Sequence, residues 1–421
     1  MTSESVVVFI NLRRTQLEYM PTFEAARRLG HGVALITDKT PVDLPDTIVR
    51  EVVVVDTYDH EKVDAAADRI AGRFSVAGVV TWSDRDVTSV SRICARLGLP
   101  APSVDSAETA RNKYLMREAM AARPELIPRY ARVTDVSELD QAREAVGFPA
   151  VLKPTSASGS KGIFVVHDEE ELDQACTQLM TYTRPEVDSV FTDNPNELVL
   201  EGLLVGTEHS VEGFVHRGEV LIAGVTDKES TKEFCLETAQ THPSALPEGP
   251  LTSVQRLTET VVAEMGLDDC TFHLECIVDG TGTARLVEIA ARPAGDFIAS
   301  HLVTAATGVS FHENVLRVAT GHRPIPVEQA HLHAGVRKVM AAEEGTFEGL
   351  EGLEEAGNVP GVRHIIVERA QGAAVRMPPT DYASSTLGAV IATGDSDAYL
   401  QERLQRATDL LRPRFTPREE G

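Results

Sequence analysis

The sequence is short of positive charge. Its 40 lysines and arginines face 64 aspartates and glutamates, for a formal net charge of −24. A surface this acidic repels nucleic acid and anionic membranes, so neither is expected as a partner. Cysteine is sparse: Cys94, Cys176, Cys235, Cys270 and Cys276 are odd in number and form no CxxC pair. That argues against a disulfide framework and fits reduced thiols in a cytoplasmic protein. Cys235 and Cys276 read as buried, inert thiols. No apolar run reaches the ~18 residues that a membrane helix needs. The first residues, Met1-Thr2-Ser3-Glu4-Ser5, lead into a short apolar run with no basic segment, so no signal peptide is expected. Internal repeats and low-complexity tracts are also missing.

Hydrophobic residues make up 42% of the 421, with charges interspersed, as in a globular chain long enough for about three domains. Apolar runs at 6–10, 33–37, 52–55 and 76–81 alternate with helical patterns at 17–29, up to 71 and 87–97. That alternation predicts a parallel, doubly wound sheet over about the first 100 residues. The turn after the first strand is Asn11-Leu12-Arg13-Arg14, not GxGxxG, which argues against a dinucleotide there. Arg13 and Arg14 read either as an exposed basic loop or as a contact for a substrate carboxylate. Leu99-Pro100-Ala101-Pro102-Ser103 reads as a linker. Beyond it, helices are expected at 106–122, 137–146, 251–265 and 309–320, and strands at 130–133, 150–154, 163–166 and through most of 197–289. A third region starts after Pro324 and Pro326. Its histidines, His331 and His333 together with His322, lack acidic partners and read as strand-edge residues, not metal ligands.

Three stretches carry chemistry. Glu275 and Glu288 lie thirteen residues apart in two apolar runs joined by Asp279-Gly280-Thr281-Gly282, a hairpin turn signal. Paired antiparallel, they place two carboxylates side by side, either solvated or neutralised by a hard cation such as Mg²⁺. Arg292 follows and supplies a fork for phosphate or carboxylate, or packs in a salt bridge with Glu288 or Asp296. Upstream, a strand ends at Lys153-Pro154 and runs into Thr155-Ser156-Ala157-Ser158-Gly159-Ser160-Lys161-Gly162. Small residues there let amides and hydroxyls approach phosphate oxygens, with Lys153 as a point charge, although this is not the P-loop pattern. Finally, a strand ending at Glu201 is followed by an apolar connector and by Glu208. The connector's backbone can meet an adenine edge and Glu208 a ribose; a plain hairpin explains either glutamate alone.

In order and spacing these motifs resemble the ATP-grasp superfamily of ADP-forming carboxylate–amine ligases, over about residues 105–325. Thr226-Asp227-Lys228, the run Glu237 to Ser244, and Glu288 to Arg292 resemble the L-amino-acid ligases that make dipeptides, as do the last 90 or so residues. The resemblance implies a multidomain α/β and α+β architecture: a Rossmann-like pre-ATP-grasp domain at 1–104 and an ATP-grasp domain at 105–325. The latter would have a lid lobe at about 130–200 and a C-lobe at about 201–325, with a small C-terminal domain at 326–421. It further implies that Lys113 and Lys153 contact ATP phosphates under a mobile loop of Ser156, Ser158, Gly159, Ser160 and Gly162. Glu201, Gly202 and Leu204 would hold adenine and Glu208 the ribose. Glu275 and Glu288 would ligate Mg²⁺, for which Mn²⁺ can substitute. Arg292 would hold the acyl phosphate or substrate carboxylate, and Glu237 would lie near the substrate amine. Partners would be small-molecule acids and amines, and a homodimer is allowed. Two departures stand out: Ala290 replaces the usual asparagine after the second metal glutamate, and Gln240 occupies a position where dipeptide ligases often have histidine. The rival readings are a carboxylating or formyl-transferring ligase of the same fold, and a nucleotide-binding regulator without catalysis.

Overall fold

The computed structural model describes residues 4–416 except 14, 42, 158, 160, 232, 233, 379 and 382. Four strands open the chain: β1 (Ser5–Ile10), β2 (Gly32–Thr37), β3 (Val49–Val54) and β4 (Ser75–Thr81). They pair in parallel in the order β3-β2-β1-β4. Residues 6–10 and all of β2 are buried, which is why their sequences run apolar without alternation. Helix Gln16–Arg28 connects β1 to β2 and His60–Ala71 connects β3 to β4; Val87–Leu97 follows β4 and is stopped by Gly98 at φ 67. Because β2 and β4 flank β1 on opposite sides, the winding reverses there. The loops after β1 and β4 therefore open on one crevice, the usual ligand position of an open parallel sheet.

A second sheet holds β5 (Tyr130–Val133), β6 (Ala150–Pro154), β7 (Phe164–Val166) and β8 (Leu198–Gly202), antiparallel in the order β5-β8-β6-β7. Helices Leu139–Val146 and Glu169–Tyr182 bury Leu139, Val146, Leu172 and Leu179 against it. The chain continues through β9 (Thr207–His216), β10 (Glu219–Ser230), β11 (Glu237–His242), β12 (Cys270–Val278) and β13 (Ala284–Ala290). The remaining strands are β14 (His333–Met340), β15 (Gly345–Glu351), β16 (Val362–Val367), β17 (Ala374–Val375), β18 (Thr386–Gly394) and β19 (Arg412–Thr416). An eight-stranded sheet runs β13-β12-β9-β10-β11-β14-β18-β16, so three C-terminal strands extend the central one; β17-β15-β19 form a small sheet apart.

One core joins the layers. Phe9, Phe23 and Trp82 of the first layer pack in the same cluster as Phe214, Phe311, Val336 and Ile391. Each fully buried large side chain stabilises by ~1.5–3 kcal/mol, so the first layer is held firmly against the central sheet. The approach is close enough to require glycine at one point: a Cβ on Gly78 would stand 2.5 Å from the Ala319 carbonyl oxygen.

Three local readings change. The helix expected at 106–122 is two short ones, Val104–Thr109 and Lys113–Ala119. Asn112 breaks it, because its side chain accepts from the amides of Tyr114 and Leu115 as an N-cap. The helix expected at 251–265 starts earlier, as Glu248–Glu264. Helix Glu169–Tyr182 adds to the expected set; Asp168 caps it, and Glu169, Glu170 and Glu171 favour its first turn. Among the described residues no helix is long and apolar enough to cross a membrane.

Candidate active site

The turn at 279–282 is closed by Asp279, whose carboxylate accepts from the amides of Thr281 and Thr283. It sets the β12–β13 register so that Glu275 lies opposite Glu288. The two carboxylates take different partners. Glu288 Oε2 lies 2.7 Å from Lys113 Nζ. Glu275 Oε1 lies 2.6 Å from Lys228 Nζ and 3.1 Å from His273 Nε2.

Lys228 is the hub of this face. It stands on β10 opposite Glu208 of β9, and its Nζ reaches Glu208 at 3.0 Å, Glu237 at 2.5 Å and Glu275 at 2.6 Å. Burial pushes its pKa down, but the attraction of Glu237, Glu275 and Glu208 outweighs this and raises it well above the usual value. One oxygen from each of these three glutamates lies within 4.8 Å of the others, the sole such cluster of potential metal donors among the described residues. The roles expected for Glu208, Glu237 and Glu275 were separate; the structure brings the three together. His273 is held between Glu212, 2.9 Å from its Nδ1, and Glu275. Burial alone would lower the His273 pKa, but Glu212 and Glu275 raise it to about 10, so the ring is cationic at neutral pH. It sits opposite Ala290 in the register, on the strand position next to the expected asparagine. Glu237 is pushed up to about 8 by burial and by Asp296, against the pull of Lys228.

Further cations converge from other elements. Lys113, at the helix start that Asn112 caps, donates from Nζ to the Ala157 carbonyl at 2.8 Å as well as meeting Glu288. Lys153, at the end of β6, pairs with Glu201 at 2.8 Å, and Arg117 takes the other Glu201 oxygen at 2.7 Å. Burial lowers the Lys153 pKa more than Glu201 restores it, with Arg117 and Lys113 adding repulsion. Glu201 thus fixes two cations, a task that its expected place beside adenine did not include. The amides of Gly202 and Leu203 donate to Arg129 and Pro149 carbonyls, and Leu204 is half-buried just beyond. In the small-residue loop, Ser156 Oγ is buried without a hydrogen-bond partner among the described residues. Gly159 and Gly162 have φ 69 and 73, where side chains are strained. Ser158 and Ser160 lie outside the described residues, as does Arg14.

Arg292 points toward the first layer. Its Nε donates to Asp84 Oδ1 at 2.9 Å and its Nη1 to the Pro293 carbonyl at 2.9 Å. The partners considered from sequence are engaged elsewhere, Glu288 by Lys113 and Asp296 by Lys338 at 2.7 Å. Arg13 is half-buried, pairs with Glu18 at 2.8 Å, and has Nη2 3.2 Å from where a Gly295 Cβ would be. It is therefore drawn into the crevice and is no free basic loop. Gln240 donates to Glu237 at 2.7 Å, while His242 is buried against Thr226 and kept neutral, its pKa lowered to about 4 by burial. Lys228, His273, Arg117, Asp84 and Lys338 escaped the sequence reading as site residues. Lys228 stands inside a quoted motif, His273 two residues before Glu275 on β12, and Arg117 on the helix that starts at Lys113; Asp84 and Lys338 come from stretches that no local pattern links.

The donor set fits a magnesium nucleotide. The carboxylates of Glu275 and Glu288, paired across the hairpin, are of the type that suits Mg²⁺, buried lysines and an arginine suit phosphates, and the Ser156 hydroxyl lacks a partner among the described residues. An ATP-grasp domain is matched over residues 146–301, an ATP-grasp N-terminal domain over 23–101 and L-amino acid ligase C-terminal domain 2 over 337–416.

The chain is an ATP-grasp protein.

Alanine–anticapsin ligase of Bacillus subtilis is 26% identical over 283 residues, which cover 63% of this chain and 60% of that one. A formate-dependent phosphoribosylglycinamide formyltransferase of Sulfurisphaera tokodaii is 24% identical over 420 residues, covering 93% of this chain and 98% of that one. The crystal structure of L-amino acid ligase from Bacillus licheniformis superposes with a TM-score of 0.83 at 21% identity, covering 99% and 100% of the two chains. At that identity the superposition speaks for the fold of this ATP-grasp protein.

Lys153→Ala is expected to lower nucleotide turnover at least about tenfold, ~1.4 kcal/mol, if its ammonium contacts phosphate as the resemblance implies. Substrate-dependent ADP release at the wild-type rate would exclude that role.

Proposed function

We propose that this ATP-grasp protein joins a carboxylic acid, an amino acid in the first instance, to an amine through an acyl phosphate, releasing ADP and phosphate. The observation that carries the reading is the placement of Lys113. It bridges the small-residue loop, at Ala157, to the glutamate hairpin, at Glu288, so a phosphate-binding loop and a metal-type carboxylate pair face one site. In this reading the acid's carboxylate attacks the γ-phosphorus and ADP leaves. The amine then attacks the acyl carbon, expelling phosphate. Phosphoryl transfer asks a protein chiefly for alignment and charge neutralisation, which Lys113, Lys153 and Arg292 supply. Glu275 and Glu288 would hold Mg²⁺, which when bound neutralises charge on the phosphates. Glu237, beside Lys228 and Lys338, is assigned to the amine.

Alanine–anticapsin ligase and the matched L-amino acid ligase C-terminal domain favour amide formation over formyl transfer. The test is phosphate release from ATP·Mg²⁺ with amino acids singly and in pairs, read with product mass spectrometry. ADP formation that requires an amino-acid pair and yields its dipeptide is the expected result. Turnover only with formate or bicarbonate, or none with any acid, would overturn it.

A further inference from the structure

We propose that Asp84 is a positioning residue that holds the Arg292 fork in its working orientation, an inference that rests on the role assigned to Arg292 in the ligase reading. Asp84 belongs to the loop after β4, in the crevice where the winding of the first sheet reverses, and Arg292 follows β13 of the central sheet. The two meet across the layers at 2.9 Å, with side chains only 15% and 11% exposed. Asp84 takes Nε and the Pro293 carbonyl takes Nη1, so the guanidinium plane is fixed from two directions. The rest of the fork remains for a phosphoryl or carboxylate oxygen, and its charge lies within reach of Glu288 and Glu275. Arg111 approaches the other Asp84 oxygen at 3.9 Å. Burial would raise the Asp84 pKa, but Arg292 and Arg111 bring it to about 2, so it is ionised throughout the working range. A nearly buried ion pair is a poor source of net stability, because desolvation offsets its attraction. Its use here is geometric: an arginine on a long side chain needs a fixed plane to give bidentate hydrogen bonds. The Asp84 loop is itself tethered, since Thr81 Oγ1 donates to the Ile10 carbonyl at 2.9 Å.

The test is a double-mutant cycle on the full chain with Asp84→Asn, Asp84→Glu and Arg292→Lys. Asp84→Asn should lower kcat for amide formation about tenfold, with KM for ATP within twofold of wild type. Asp84→Glu should recover part of the loss, and Asp84→Asn should add nothing in the Arg292→Lys background. Effects that multiply across the cycle, or a wild-type kcat in Asp84→Asn, would overturn the proposal. A second arm needs no ligase activity: calorimetry of inorganic phosphate added to the protein with ADP·Mg²⁺. Asp84→Asn should weaken phosphate about fivefold and leave ADP affinity unchanged. Equal phosphate affinity, or a loss that follows a fall in melting temperature and is not restored by Asp84→Glu, would refute the positioning role. If the wild type turns over no acid–amine pair, the ligase reading fails, and the phosphate arm still decides the role of Asp84.

Discussion

Arg292→Lys should bind ATP nearly as well as wild type and form amide about a hundredfold more slowly, a loss of ~2.7 kcal/mol in transition-state stabilisation. Lysine keeps the positive charge but is a single point on a flexible stem. It cannot hold Asp84 and the Pro293 carbonyl, as Nε and Nη1 do at 2.9 Å each, and still present a planar fork to a transferred phosphoryl group. Because the charge on that group develops during the reaction, the loss belongs in kcat and not in nucleotide affinity. The competing account makes Arg292 a strut between the first layer and the central sheet. A strut predicts the reverse pattern: a lower melting temperature with kinetics close to wild type. Measuring thermal unfolding beside dipeptide formation separates the two, and full ligation by Arg292→Lys would refute the catalytic role.

Local signals carried the sequence reading a long way. The doubly wound layer was legible because β1 and β2 are apolar without alternation and Gly98 stops a helix in the left-handed region. The β12–β13 hairpin was legible because its turn residues sit between two apolar runs, and its register follows from them. What stayed hidden is what depends on packing between distant segments. Nothing near Asp84 says that it meets Arg292, 208 positions away. Lys228 looks like one more strand lysine until β9, β11 and β12 bring Glu208, Glu237 and Glu275 around it. The same holds for Arg13, whose place in the crevice depends on the Gly295 segment. Charge clustering of this kind is a property of sheet order, and strand order across crossovers is not written in any single window of sequence.

The last expectation separates the two glutamates of the hairpin by what surrounds each. Glu275→Gln and Glu288→Gln should both lower Mg²⁺-dependent turnover by at least about a hundredfold, ~2.7 kcal/mol, since each removes one charge from the proposed two-carboxylate metal site. They should differ in stability. Glu275 lies between Lys228 and His273, two buried cations, and its own pKa is held well below the usual range: burial pushes it up, but Lys228 and His273 more than reverse this. Glutamine there leaves both cations short of a negative partner, and a buried charge that loses its partner destabilises the fold strongly. Glu288 answers chiefly to Lys113, which keeps its bond to the Ala157 carbonyl when the carboxylate is replaced. Glu275→Gln should therefore melt at a clearly lower temperature than Glu288→Gln, while both lose metal dependence. Calorimetry of ATP·Mg²⁺ binding together with a Mg²⁺ titration of turnover checks the first part, and thermal unfolding without nucleotide checks the second. Unchanged ATP·Mg²⁺ binding and turnover in both variants would make the pair structural. Equal melting temperatures would instead mean that Lys228 is adequately neutralised by Glu208 and Glu237 alone.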